Sequence, residues 1–293
     1  MVSRAGLLLA GLMIIGLLTA ALAPARSGDV FVGEDGTGKV LRIHPDGTPT
    51  GDQSIAAKGA PIDSPGGLDF GDDGYLYVSD YGLTGIVRVN PANGHKHIVV
   101  QKNSGNESWS DVEVGPDGYL YASDFSNPAI YRVNPTTGHR TVLATDDQLS
   151  CCTYGLAIGP TGAIYAADEG GLVVKVNRKT GAQTLVSDDP QLESLWGIGV
   201  SEKGKIYVVN RGTEDDILRI DPSQPHDSNA TEITTGADLF DGPYDIAFTA
   251  TGKLLTASIN NDSIIRTNPK TGVESVAFSG DILNTPEGVA VQP

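Results

Sequence analysis

The chain has 293 residues, 39% of them hydrophobic, with 37 Gly, 17 Pro and a formal net charge of −16. A surface this acidic is a poor partner for a polyanionic duplex or an anionic membrane face, so nucleic-acid and membrane-surface binding are set aside. No linker, charge run or low-complexity tract interrupts the composition, and one folded domain is the economical reading.

The N-terminus is different in kind. Met1 to Arg4 is short and positive, Gly6 to Ala23 is almost wholly apolar, and Ala23-Pro24-Ala25 supplies small residues at the spacing a signal peptidase needs. Residues 1–25 are therefore expected to be a secretory signal, and residues 26–293 the mature, extracytoplasmic domain. An uncleaved membrane anchor is the alternative, because the apolar run is close to the shortest that spans a bilayer.

After the leader the chain repeats itself. A segment of the form P-x-G followed by alternating apolar residues leads into a Gly-bearing turn, then into Tyr-Leu-Tyr-Val-Ser-Asp and Ile-x-Arg-Val-Asn-Pro. The anchors are Pro65, Trp109, Thr153, Leu195, Pro243 and Pro286, at intervals of 44, 44, 42, 48 and 43 residues. Short alternating strands at this period, with no helical periodicity, predict an all-β propeller with four-stranded blades. In the second full copy the strands are expected near 111–114, 119–123, 130–134 and 141–144, with turns at Pro116-Asp117-Gly118 and Asn134 to Gly138. The end copies are complementary: Asp29 to Lys58 lacks a first strand, while Pro286 to Val291 is a first strand alone. Joined, they complete a six-bladed ring closed by the C-terminal strand entering the N-terminal blade, which removes exposed sheet edges.

The segments P-x-G-I-A, G-x-L/I-Y-V-x-D and I-x-R-V resemble the NHL repeat and the six-bladed propellers of the gluconolactonase and regucalcin family. Strictosidine synthases and streptogramin lyases share that architecture. The resemblance covers essentially the whole chain after the leader, and it implies a fold more than an activity.

Each copy ends strand two with a polar residue (Glu34, Asp80, Asp124, Asp168, Asn210, Ser258) and carries a base in strand three (Arg42, Arg88, Arg132, Lys175, Arg219, Arg266). About eight residues apart, these are expected to form a structural acid–base pair in every blade. Function is sought instead where copies differ. In propellers of this resemblance, the x of P-x-G lies at one mouth of the central channel, and here it reads Gly66, Ser110, Tyr154, Trp196, Tyr244, Glu287. Trp109 adjoins this set, and Asp111 and Asp245 stand one position on. Ligand binding is accordingly expected at Trp109, Ser110, Asp111, Tyr154, Trp196, Tyr244 and Asp245, where rings supply contact area and carboxylates fix polarity.

Cys151 and Cys152, the only cysteines, adjoin Tyr154; in a secreted protein a vicinal disulfide is expected, with an intermolecular bridge or two thiols as alternatives. The gluconolactonase resemblance implies one divalent cation, Ca²⁺ or a similar hard ion, held by Glu, Asn and Asp at x positions; only Glu287 matches. Glu287 is thus the candidate metal ligand, and the candidate catalytic acid of a strictosidine-synthase-like reaction. The Asn106, Asn229 and Asn261 segments match the N-glycosylation pattern. No complete catalytic set is visible, so the reading is a monomeric, secreted propeller that binds a small molecule, glycan or protein at its mouth. A metal-dependent lactonase is the alternative.

Overall fold

The computed structural model describes residues 25–82, 85–102, 107–149, 152–234, 239–280 and 282–293. They form six four-stranded antiparallel sheets arranged as a six-bladed β-propeller. Blade 1 joins the chain's ends, with Pro286–Val291 innermost, then Val30–Glu34, Lys39–His44 and Asp52–Lys58. Val30 pairs with Val291 and Glu34 with Pro286, so the last strand supplies what the first copy lacks. Blades 2 to 6 begin at the innermost strands Pro65–Phe70, Trp109–Val114, Thr153–Ile158, Leu195–Val200 and Pro243–Phe248. All six strands start at the anchors read from the sequence. The expected leader lies outside the described residues except for Ala25, and no described helix is long and apolar enough to cross a membrane.

Burial explains the repeat. The second strand of a blade is covered by neighbouring blades on both faces; Leu76–Asp80 and Leu120–Asp124 are buried throughout. The fourth strand is half exposed, as in Lys96–Val100 and Arg140–Thr145. Six apolar clusters form, one at each blade–blade interface. Burying an apolar side chain there contributes about 1.5–3 kcal/mol. The turns have their own logic. Gly118 takes φ +73° between strands one and two, a conformation only Gly adopts without strain, and Gly138 takes φ +69° between strands three and four. Asn134 Oδ1 accepts the amides of Thr136 and Thr137 at 2.9 and 3.0 Å, which closes the second turn.

The expected acid–base pairs within blades do not form. Asp124 lies opposite Ala129 while Arg132 lies opposite Tyr121, so acid and base are separated along the ladder by three residues, about 10 Å. The polar residue ending strand two instead accepts backbone amides from the loop entering strand one of its own blade. Asp80 takes the amides of Asp63 and Ser64 (2.8 and 3.2 Å), Asp124 that of Ser108 (3.0 Å), Asn210 that of Glu193 (2.8 Å) and Glu34 that of Asn284 (2.6 Å). The bases find other partners: Arg132 sits 3.3 Å from the Tyr119 ring centroid and pairs with Asp117 at 3.2 Å, Arg88 lies over Tyr75, and the buried Arg42 pairs with Asp29 at 3.7 Å.

Candidate functional site

Each innermost strand slips register just after its first residue. In blade 3 Trp109 pairs with Asp124 and pairing resumes only at Val112 with Ala122; blades 2, 4, 5 and 6 repeat the shift. The two intervening residues are therefore bulged, and the strict alternation of a regular strand does not hold there. Both the x residue and its successor face the channel, which brings Ser110 with Asp111 and Tyr244 with Asp245 to the same mouth.

The rings of Tyr154, Trp196 and Tyr244 meet across that mouth. Tyr154 stacks on Trp196 with centroids 4.0 Å apart, and Tyr244 meets Trp196 edge to face at 4.7 Å. Ser110 is not available to a ligand: it is 3% exposed, and its hydroxyl donates to the Thr153 carbonyl at 2.9 Å. Trp109 leaves the expected set. As the first residue of its strand it precedes the bulge, so its side chain enters the interface between blades 2 and 3, fully buried and stacked on Tyr131 at 5.1 Å.

A second ring of residues, unread in the sequence, completes the mouth. It is the residue following the strand-two polar end: Asp35, Tyr81, Phe125, Glu169, Arg211 and Ile259. Where the x residue is small, the second ring fills the space. Tyr81 lies over Gly66, where even a Cβ would come within 3.0 Å of its ring, and its hydroxyl reaches Tyr244 Oη at 2.6 Å. Phe125 packs on Tyr154 at 4.5 Å, and the Arg211 guanidinium sits 4.0 Å from the Trp196 centroid. These positions vary among copies, but each stands one step after a polar residue that recurs in every copy, which masks them in the sequence.

Glu287 is 6% exposed, and its Oε2 is buried without a hydrogen-bond partner. Burial, reinforced by nearby Asp35 and partly opposed by Arg211, pushes its carboxyl up to about 9. At neutral pH it is a neutral acid. Burial also raises Tyr81 and Tyr244, with Glu287 adding to both.

Below the rings the channel widens to a cavity of about 200 Å³ faced by Asp69, Asp111, Glu113 and Asp245. These carboxylates tie blades together. Asp69 accepts the Val114 amide at 2.8 Å, Asp111 that of Leu156 at 2.7 Å, and Asp245 that of Val289 at 2.9 Å, each across to the next blade. Burial raises all four, Asp69 to about 6 and Asp245 to about 7; repulsion from the others adds to Asp111, Glu113 and Asp245, and Asp72 adds to Asp69. Asp111 and Asp245 thus line both the base of the mouth and the channel cavity, with their oxygens engaged by backbone.

A divalent cation at Glu287 finds an unsuitable donor set. Its neighbours among the x residues are Gly66 and Tyr244, Asp35 of the second ring is the nearby carboxylate, and Ca²⁺ takes about six to eight oxygen ligands. Among the described residues no group of three or more His, Cys, Asp or Glu could hold a metal ion. Cys151 lies outside the described residues, and so does the expected disulfide with Cys152. Of the three expected glycosylation positions, Asn106 lies outside them too. Asn229 is 3% exposed and donates to the Val186 carbonyl, which withdraws it from modification.

Known proteins agree on the architecture. A family model described as a repeat of unknown function (DUF6923) matches residues 32–194. No curated protein matches. Among solved structures, one of a nidogen/laminin complex is similar at 16% identity and TM-score 0.75, covering 89% of this chain and 97% of that one. A catalytically inactive virginiamycin B lyase from Staphylococcus aureus with quinupristin is similar at 15% and 0.66, covering 93% and 94%. A streptogramin B lyase is similar at 18% and 0.63, covering 81% and 75%. Likeness at these identities is a likeness of fold.

Proposed function

The chain belongs to the DUF6923 family, a repeat of unknown function, and from that premise we propose a secreted binding propeller that docks a protein partner on its aromatic mouth. We also place its repeat near the NHL and gluconolactonase-like propellers on the strength of the P-x-G and I-x-R-V segments. One observation carries the docking reading. The rings of Tyr81, Phe125, Tyr154, Trp196 and Tyr244 fill the mouth so closely that about 10 Å³ of free space is left, room for a single water-sized group. Such a surface suits a partner laid across it rather than a small molecule enclosed within it. Its Trp, Tyr and Arg residues are the types that dominate protein-binding hot spots. The nidogen/laminin neighbour, a structure of a complex, is in keeping with this. A lyase of the streptogramin type would need a proton-transfer His at the mouth, and neither ring of residues contains one.

The test compares wild type with Trp196→Ala/Tyr244→Ala as bait for secreted proteins, beside a glycan array and a lactone panel with and without Ca²⁺. One protein should be retained by wild type and weakened at least about 30-fold in the double variant, the loss of about 2 kcal/mol expected at a hot spot. Equal retention by both forms overturns the reading. So does Ca²⁺-dependent lactone turnover that Glu287→Gln abolishes.

A further inference from the structure

In this acidic chain, three ammonium groups stand around one cavity at the end of the channel away from the aromatic rings. The cavity holds about 640 Å³, within the range of about 300–1,000 Å³ typical of small-molecule sites. Its walls are the 201–205 turn of blade 5, the 249–252 turn of blade 6, Pro269 and Lys270, and the end of the innermost strand of blade 1. Tyr207 and Phe248, edge to face at 5.8 Å, form an apolar floor with Val291 beside them. Lys203, Lys205 and Lys270 are exposed, and their ammonium groups make no hydrogen bond or ion pair among the described residues. Glu202 is the one acidic side chain among the lining residues. The Gln292 side-chain oxygen is buried in the wall without a hydrogen-bond partner.

We propose that this cavity is a binding site for an amphipathic anion, its apolar body against Tyr207 and Phe248 and its carboxylate or phosphate held by Lys203, Lys205 and Lys270. The charge pattern favours an anion here and nowhere else along the channel. The mouth carries Asp35 and Glu169, and the channel cavity four acidic side chains, whereas this end gathers three lysines, with Asp221 the acidic group beside Lys205. Phe248 and Val291 line both this cavity and the channel cavity, so the apolar floor continues inward, while the opposite mouth is filled.

The probe is sodium decanoate below its micelle concentration, titrated calorimetrically into the full chain. Wild type is expected to saturate with one site, and added NaCl to weaken it. Lys203→Gln/Lys205→Gln/Lys270→Gln, all exposed positions, should raise Kd at least tenfold with an unchanged melting temperature, and Phe248→Ala should also raise Kd at least tenfold, with a lowered melting temperature because its ring packs on Tyr207 and the blade 5–6 core. Trp196→Ala should leave Kd unaltered, which separates this site from the mouth. Failure to saturate, a triple variant that binds like wild type, or loss of binding on Trp196→Ala overturns the proposal. A membrane lipid offers the same chemistry, so phosphatidylglycerol vesicles form the second arm; co-sedimentation with vesicles without decanoate saturation also overturns an enclosed site.

Discussion

Glu287 shows how much a single side chain can be changed by its surroundings. It is ordinary in sequence, yet its site keeps it protonated to about pH 9, whereas in the unfolded chain it ionises near 4.5. The folded state therefore holds a proton that the unfolded state releases. The stability linked to this group is complete below pH 4.5 and is lost as pH rises through 9. Melting temperature should fall across that window in wild type, and Glu287→Gln, which keeps the shape without the charge, should flatten the fall; parallel pH profiles for the two proteins would count against it. The position was legible because x differs among copies. Its companions Tyr81, Phe125 and Arg211 were not, because each hides behind a residue that repeats. Only the three-dimensional overlap of Tyr81 with Gly66 shows that the two rings are complementary in size.

At the scale of the strand, the bulge decides what the innermost elements can do. It turns two adjacent residues toward the channel and leaves amides that a neighbouring carboxylate can accept. Asp245 accepts the amides of Ile246 and Val289 at 2.7 and 2.9 Å, one in its own blade and one in the next. Asp245→Ala should leave both without a partner and cost about 1–3 kcal/mol in urea denaturation, with Asp245→Asn costing less. A cost below 0.5 kcal/mol would show, to about the limit of the method, that the carboxylate does not join the blades. Strand boundaries were readable from Gly-bearing turns and apolar alternation, but the bulges were not. A sequence read with a strict period of two puts neighbours on opposite faces, and it cannot register one slipped pair. The same limit misled the acid–base reading. The right spacing for a hairpin was there, and the pairing register carried the acid and the base apart.

At the scale of the molecule, six similar interfaces share the apolar core, so no blade is independent. The ring is closed by hydrogen bonds between strands some 250 residues apart in the chain. Removing residues 286–293 should expose the edge of Val30–Glu34 and lower the melting temperature of the whole molecule, not of blade 1 alone; an unchanged melt would contradict closure as the source of cooperativity. Six blades and their closure were legible in the repeat, because a missing strand at one end and a surplus one at the other admit few other arrangements.

Where the ring closes in blade 1 its two edges lie side by side, with the Gly28 amide donating to the Gln292 carbonyl at 2.9 Å. In a chain cut to residues 28–292, a short linker across that gap would make a loop without ends, and the loop could be reopened between any other pair of blades. The order in which the blades are written in the gene is thus one of several equivalent spellings of the same ring.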